Sequence, residues 1–217
     1  MPDSSTARSR ILASIRMSLG AASTADSIAA EYGTIARHYN RSSAAEEHAL
    51  LDLFTDRLLE YDAGVHRSSR EGIAATVAEI LGLRAKHNIA VPAGIPATWL
   101  PAGFGFAVAD TWSKDQLDKV EGTLSACSVA IAETGTIVLQ NCPGQGPRSL
   151  SLVPDYFLCV VLAEQIVATV PEAFDRILAT STLPTTFISG PSATADIEMT
   201  RIKGVHGPRF LDVILAT

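Results

Sequence analysis

The sequence predicts an α/β protein whose sheet is covered on both faces by helices. Three observations predict it. Short β-prone runs recur through the second two-thirds of the chain, segments with apolar residues at helical spacing separate them, and Gly- or Pro-bearing turns punctuate the alternation. Runs such as "YFLCVVL" and "FLDVILA" are almost continuously apolar, the character of strands buried on both faces. So many short β-branched runs exclude a helical bundle.

Taken in order, Ile11, Leu12, Ile15 and Leu19 recur at helical spacing, and Gly20 can stop that helix. The following "AASTADSIAAEYGTIARHYN" is weakly patterned, and a loose arm, a partner-binding segment and short helices are all compatible with it. In "AAEEHALLDLFTDRLLEYDAG" the stripe Leu50, Leu51, Phe54, Leu58 and Tyr61 predicts a helix that ends before Gly64. A short "GVHR" link leads to Ser68 and Glu71, a capping-box pattern ahead of a helix carrying Ile73, Val77, Ile80 and Leu81. "NIAVP" reads as a strand, "PATWL" as a turn or short helix, and "FGFAVA" as another strand. Ser113 and Gln116 repeat the capping-box pattern before a helix through Leu117 and Val120.

"CSVAIAETGTIVLQ" holds two β-prone runs, Ser128 to Ala132 and Thr136 to Leu139, joined at Glu133-Thr134-Gly135. "YFLCVVLAEQIV" reads as a buried strand, a turn and a short return. Pro171 opens a helix through Phe174, Ile177 and Leu178, and "TTFIS" and "FLDVILA" are the last strands. The organisation expected is an N-terminal helical arm or extension, 1–43, followed by an α/β domain, 44–217.

Composition narrows the function classes. The 217 residues favour one generous domain with its extra length at the N-terminus. A formal charge of -6 argues against a nucleic-acid partner, which would require neutralising many phosphates, but leaves room for a local anion pocket. No apolar run approaches the roughly 20 residues of a membrane-spanning helix, and the polar opening "MPDSSTARSR" lacks the apolar core of a signal peptide. Cys127, Cys142 and Cys159 include no CxxC pair, so neither a zinc nor an iron-sulfur site is indicated, and a reducing cytoplasm is the expected setting. Cys127 and Cys159 lie in apolar runs and read as small buried hydrophobes; Cys142, in "NCPGQGP", is the thiol to test for reactivity. The histidines show neither HExxH nor a compact ligand pattern, and no metal site is indicated.

Candidate functional residues concentrate near the C-terminus, in "ISGPSATADIEMTRIKGVHGP". In α/β proteins ligands bind beyond the carboxyl ends of parallel strands, where helix N-termini converge. "TTFISGPSATADIE" has that layout: a strand ending near Ser189, a turn at Gly190, and Ser192 or Thr194 placed to cap the next segment. Free amides and two hydroxyls there suit a phosphate or carboxylate; equally, Ser192 and Thr194 can serve only their own helix. Asp196 and Glu198, two positions apart, would point in different directions on a helix and are not a natural carboxylate pair. His206, between Val205 and Gly207, sits in a turn where a near-neutral side chain is open to proton transfer or to a structural hydrogen bond. Glu133 interrupts an apolar stretch at a turn, which offers its carboxylate as a base or nucleophile, although Glu-Thr-Gly also makes an ordinary hairpin tip. Gly144 and Gly146 match no phosphate-loop motif, but Arg148 beside them can clamp an anion with its fixed fork of donors.

Taken together, "AETGTIVL" (132–139), "RSLSLVPDYFLCVV" (148–161), "EQIV" (164–167) and "SGPSATADIEMTRIKGVHGPRFLDVIL" (189–215) resemble the LUD-domain family in its lactate utilization protein C branch. The resemblance implies a three-layer α/β/α fold similar to the sugar-phosphate isomerase and CoA-transferase superfamily. It implies an accessory or regulatory subunit in the oxidation of L-lactate to pyruvate, with no cofactor of its own and with iron-sulfur clusters carried by partner subunits. Gly190, Ser192, Thr194, Asp196, Glu198, Gly204, His206 and Gly207 match the family's C-terminal signature, and Glu133, Thr134 and Gly135 its central one. The superfamily's CoA-transferases use Glu-Asn-Gly as nucleophile, from which Thr134 departs, and family members often carry a histidine where this chain has Tyr156. Two alternatives stand beside the subunit reading. One is a CoA-transferase-like or isomerase-like enzyme with Glu133 and His206 as catalytic groups. The other is a soluble small-anion-binding protein using Arg148, Gly190, Ser192, Thr194, Asp196 and Gly207.

Overall fold

The computed structural model describes residues 4–19, 24–194, 202–204 and 206–217. The chain divides into two compact units, Met1–Tyr39 and Asn40–Thr217. The first holds α1 (Ser4–Leu19) and α2 (Ala25–Thr34). The weakly patterned stretch therefore resolves into a helix, with Thr24 as its cap: the Thr24 hydroxyl accepts from the Ser27 amide at 3.1 Å. Gly20, the expected stop of α1, lies outside the described residues.

The second unit is built on a six-stranded sheet. Its strands are β1 (Gly64–Ser68), β2 (Asn88–Val91), β3 (Gly105–Val108), β4 (Gly122–Ser125), β7 (Tyr156–Leu162) and β12 (Phe210–Ala216), in the order β1-β12-β7-β4-β2-β3. Every pairing is parallel. A second sheet is made of β5 (Val129–Ile131), β6 (Thr136–Gln140), β8 (Ile166–Val167) and β9 (Thr185–Ile188), in the order β8-β5-β6-β9.

The period-two alternation of β7 and β12 divides the core. Phe157, Cys159, Val161, Leu211, Val213 and Leu215 face α3 (Glu47–Glu60), through its buried Leu51, Phe54 and Leu58, and also the second sheet. Tyr156, Leu158, Val160, Ile214 and Ala216 face α4 (Ile73–Leu83), through Ile73, Val77, Ile80 and Leu81. Each fully buried Val, Leu, Ile or Phe among them contributes about 1.5–3 kcal/mol by leaving water. The outer face of the second sheet is closed by α6 (Val170–Ile177), which places Ala173 and Ile177 against Val129, Ile131 and Val138. The α/β reading with a parallel sheet flanked by helices thus stands, and the short second sheet is an added layer on the α3 side.

Several local expectations change. "GVHR" is part of strand β1, because its backbone pairs with β12 from Gly64↔Asp212 to Ser68↔Ala216. The Ser68/Glu71 box does not form: α4 begins after Gly72 without a side-chain cap, and Ser68 Oγ instead accepts from Thr76 Oγ1 at 3.0 Å. The Ser113/Gln116 box does form, at the start of α5 (Lys114–Leu117), which ends before Val120. β8 does not return along β7. A 3-10 turn at Ala163–Gln165, pinned by Gln165 between the Leu162 amide (2.8 Å) and the Cys127 carbonyl (2.7 Å), swings it onto β5.

Candidate functional site

The corner after "TTFI" differs from the sequence expectation in its setting. β9 pairs antiparallel with β6 in the second sheet, so it does not end at the carboxyl edge of a parallel strand. Thr194 lies in β10 (Ala193–Thr194), paired antiparallel with β11 (Ile202–Lys203). Asp196 and Glu198 lie outside the described residues. Gly190 has φ +82° and is buried, and a Cβ there would overlap Tyr61, so the turn requires glycine.

Ser192 holds the two C-terminal segments together. Its amide donates to the Pro208 carbonyl at 2.8 Å, its carbonyl accepts from the Gly204 amide at 2.9 Å, and its hydroxyl accepts from the His206 amide at 3.0 Å. This clamp sets Gly190, Ser192, His206 and Gly207 on the rim of one cavity of about 250 Å³. Arg148 and Ser151 line another part of it, while Phe157 and Leu211 form an apolar wall at the starts of β7 and β12. Five sequence-predicted residues therefore converge: Arg148, Gly190, Ser192, His206 and Gly207.

Arg148 opens a 3-10 turn, Arg148–Ser151, and its Nη1 donates to the Ser151 carbonyl and hydroxyl, each at 3.0 Å. Partial burial lowers its pKa from the usual arginine value, but a guanidinium at neutral pH stays charged. Among the described residues no carboxylate pairs with it. A cation facing a small cavity with hydroxyls, a histidine and an apolar wall is equipped to hold a small anion.

Glu133 is not among the residues lining this cavity. It is exposed at the tip between β5 and β6, where its amide donates to the Ala168 carbonyl at 3.1 Å. The structure does not bring it together with Arg148 and His206, which removes the geometry that a shared catalytic centre needs. Thr134 is linked to the cavity only indirectly, through hydroxyls. Thr134 Oγ1 lies 2.7 Å from Thr136 Oγ1, which lies 2.7 Å from Ser189 Oγ, and Ser189 lines the cavity.

A second constellation escapes sequence reasoning. Asp212, 1% exposed on β12, accepts from Arg84 Nε and Nη2, both at 2.9 Å, and from the Tyr156 hydroxyl at 2.8 Å, with His66 Nε2 at 3.4 Å. Burial alone would raise its pKa, but the hydrogen bonds from His66, Arg84 and Tyr156 outweigh that and hold the carboxyl far below the usual range. Burial, then the Asp212 charge and hydrogen bond, push the Tyr156 phenol far above its ordinary value, so it is no general base. The available signal is a lone charge inside the apolar "FLDVILA" and a glycine opposite it: a Cβ at Gly64 would overlap Asp212 Oδ1.

The thiols offer no nucleophile. Cys127 and Cys159 are buried, and Cys127 is pushed well up by its hydrogen bond with Cys159 and by burial. Burial also raises Cys142, against a smaller opposing hydrogen bond with Ser128. Among the described residues no group of three or more His, Cys, Asp or Glu is arranged to hold a metal ion, and no helix is long and apolar enough to cross a membrane.

The LUD domain profile matches residues 21–216. The chain belongs to the LUD domain family. It is 43% identical over 169 residues to "Lactate utilization protein C" of Deinococcus radiodurans, covering 76% of this chain and 79% of that protein. "Lactate utilization protein C" of Shouchella clausii is 36% identical over 101 residues, 44% of each chain. Among solved structures, that of a DUF162 family protein from Deinococcus radiodurans matches with a TM-score of 0.70 and 37% identity, covering 80% of this chain and 99% of that one. The α/β architecture of this LUD domain is thus shared with a structure related in sequence.

Proposed function

We propose that this LUD domain protein acts in lactate utilization as an accessory or regulatory subunit of L-lactate oxidation to pyruvate, working in the cytoplasm with partner subunits that carry the iron-sulfur clusters. The pathway rests on the names of its relatives, above all the one matched over 79% of its length. The observation that carries a molecular role is Arg148, a guanidinium facing a small cavity with no carboxylate partner among the described residues. In this reading the cavity holds a small carboxylate or phosphate, oriented by Arg148 and by the Ser192 and His206 segment.

The test has two arms. Purification with the candidate iron-sulfur subunits, followed by lactate oxidation with and without this chain, examines the subunit role; no co-purification together with identical turnover would refute it. Titration calorimetry with small carboxylates and inorganic phosphate examines the pocket, where Arg148→Ala is expected to weaken binding at least about tenfold, the scale of a lost charge-assisted hydrogen bond. Affinity unchanged by that substitution would remove the cavity from the role.

A further inference from the structure

The two helices of the N-terminal unit bury nothing: every side chain described in α1 and α2 is exposed. Each nevertheless carries an apolar stripe at helical spacing. Ile11, Ile15 and Leu19 form it on α1, and Ile28, Tyr32 and Ile35 form it on α2 and its first following residue; all six are 47–76% exposed. At 1.5 Å per residue the stripes run about 12 Å and about 10.5 Å, so they match in length. The 10 residues of α2 fall short of the about 12–15 that an isolated helix needs in water, and its stability must come from packing that stripe. The charges are sorted as well. α1 holds Arg8, Arg10 and Arg16 and no carboxylate, while α2 holds Asp26 and Glu31 and no base.

We infer that this arm is a docking surface for a second copy of the chain, with α1 of each copy lying on α2 of the other. One arm carries both halves of a complementary pair, a basic striped helix and an acidic one, and within a single chain both stripes stay open. A two-fold arrangement of two arms closes them all, because the same contact is made twice. Apolar stripe meets apolar stripe, and the arginines of α1 come near the carboxylates of α2. The helices supply 16 and 10 residues from each copy, which is within the roughly 20–30 residues a side of a standard interface. An anionic lipid surface would attract α1 but repel the carboxylates of α2, so it suits only half of the arm.

The test is sedimentation equilibrium of the full chain, which is expected to show a dimer with a Kd on the order of micromolar. Ile15→Asp on α1 and Tyr32→Asp on α2 should each raise that Kd at least about tenfold, since each removes one apolar anchor from both contacts. Urea unfolding of the α/β domain should move with neither. Mixing the two variants is the decisive step. Either variant alone can form only damaged contacts, whereas a mixed pair keeps one contact in which both helices are intact. The equimolar mixture should therefore dimerise at least about threefold more tightly than either variant alone. Loss of helix in a variant would not produce that recovery by itself. A parent chain still monomeric at about 100 µM would overturn the inference, and so would a dimer indifferent to both substitutions. Failure of the mixture to recover would also overturn it, by removing the pairing of α1 with α2 between copies. A monomeric parent that cosediments with vesicles of phosphatidylglycerol would overturn it in favour of a lipid surface.

Discussion

Two arginines of this protein meet opposite fates on opposite faces of the same strands. Arg84, at the end of α4, is bound at both Nε and Nη2 to Asp212, and the tyrosine beside it completes the carboxylate's shell. Arg148 faces a cavity with its Nη1 on the carbonyl and hydroxyl of Ser151 and no carboxylate among the described residues. The strands are shared: Tyr156 and Asp212 point to the α4 side, while their neighbours Phe157 and Leu211 wall the cavity. The first charge is compensated within the fold; the second, without a carboxylate among the described residues, is the one proposed to meet a ligand.

The largest effect expected from this contrast is on stability, at the Arg84–Asp212 pair. Arg84→Ala leaves a buried carboxylate without its cation and should cost about 3 kcal/mol in urea unfolding, whereas Arg148→Ala should stay within about 0.5 kcal/mol. Equal losses would erase the distinction between the two arginines. Tyr156→Phe removes one hydrogen bond to a charged group and should cost about 1.5–3 kcal/mol by the same measurement, without affecting anion binding.

A smaller effect is the acid dependence of the Asp212 site. The folded Asp212 carboxyl is depressed below its unfolded value of about 3.9, so its contribution is fully present above that value and is lost as pH falls toward the folded pKa. The stability difference between the parent and Asp212→Asn should therefore stay constant between about pH 7 and 5 and shrink below about pH 4. A difference already shrinking at pH 6 would assign the dependence to another group. The smallest expected effect is at Ser113. There, Ser113→Ala removes the cap of a one-turn helix and should cost about 1 kcal/mol in urea unfolding.

How much is legible in the sequence depends on the range of the interaction. The α3 and α4 stripes, the Ser113 box and the hairpin at Glu133-Thr134-Gly135 are encoded within a few residues and are readable. β1 is not, because "GVHRS" is half polar and becomes a strand through pairing with β12, far along the chain. Thr194 reads as a cap because Ser and Thr after a glycine turn fit one, yet pairing with β11 makes it a strand residue. The pocket is half readable. Arg148, Gly190, Ser192, His206 and Gly207 stand out by residue type, but Ser151, Phe157, Ser189 and Leu211 carry no local signal for a cavity.

The sequence alone established the α/β class, the glycine turn at Gly190 and the family signature around it, since pattern, steric preference and motif are properties of neighbouring residues. Folding settled which charges find partners. Arg84 and Asp212 are 128 positions apart, and their pairing exists because β12 inserts between β1 and β7 opposite the end of α4. Glu133 remains at an exposed tip while Thr136, three residues on, meets Ser189 behind the cavity, because the antiparallel register of β6 with β9 brings the start of β6 beside the residue that follows Ile188. Electrostatic compensation is set by distances between chain segments, and those distances are fixed by strand order and pleat.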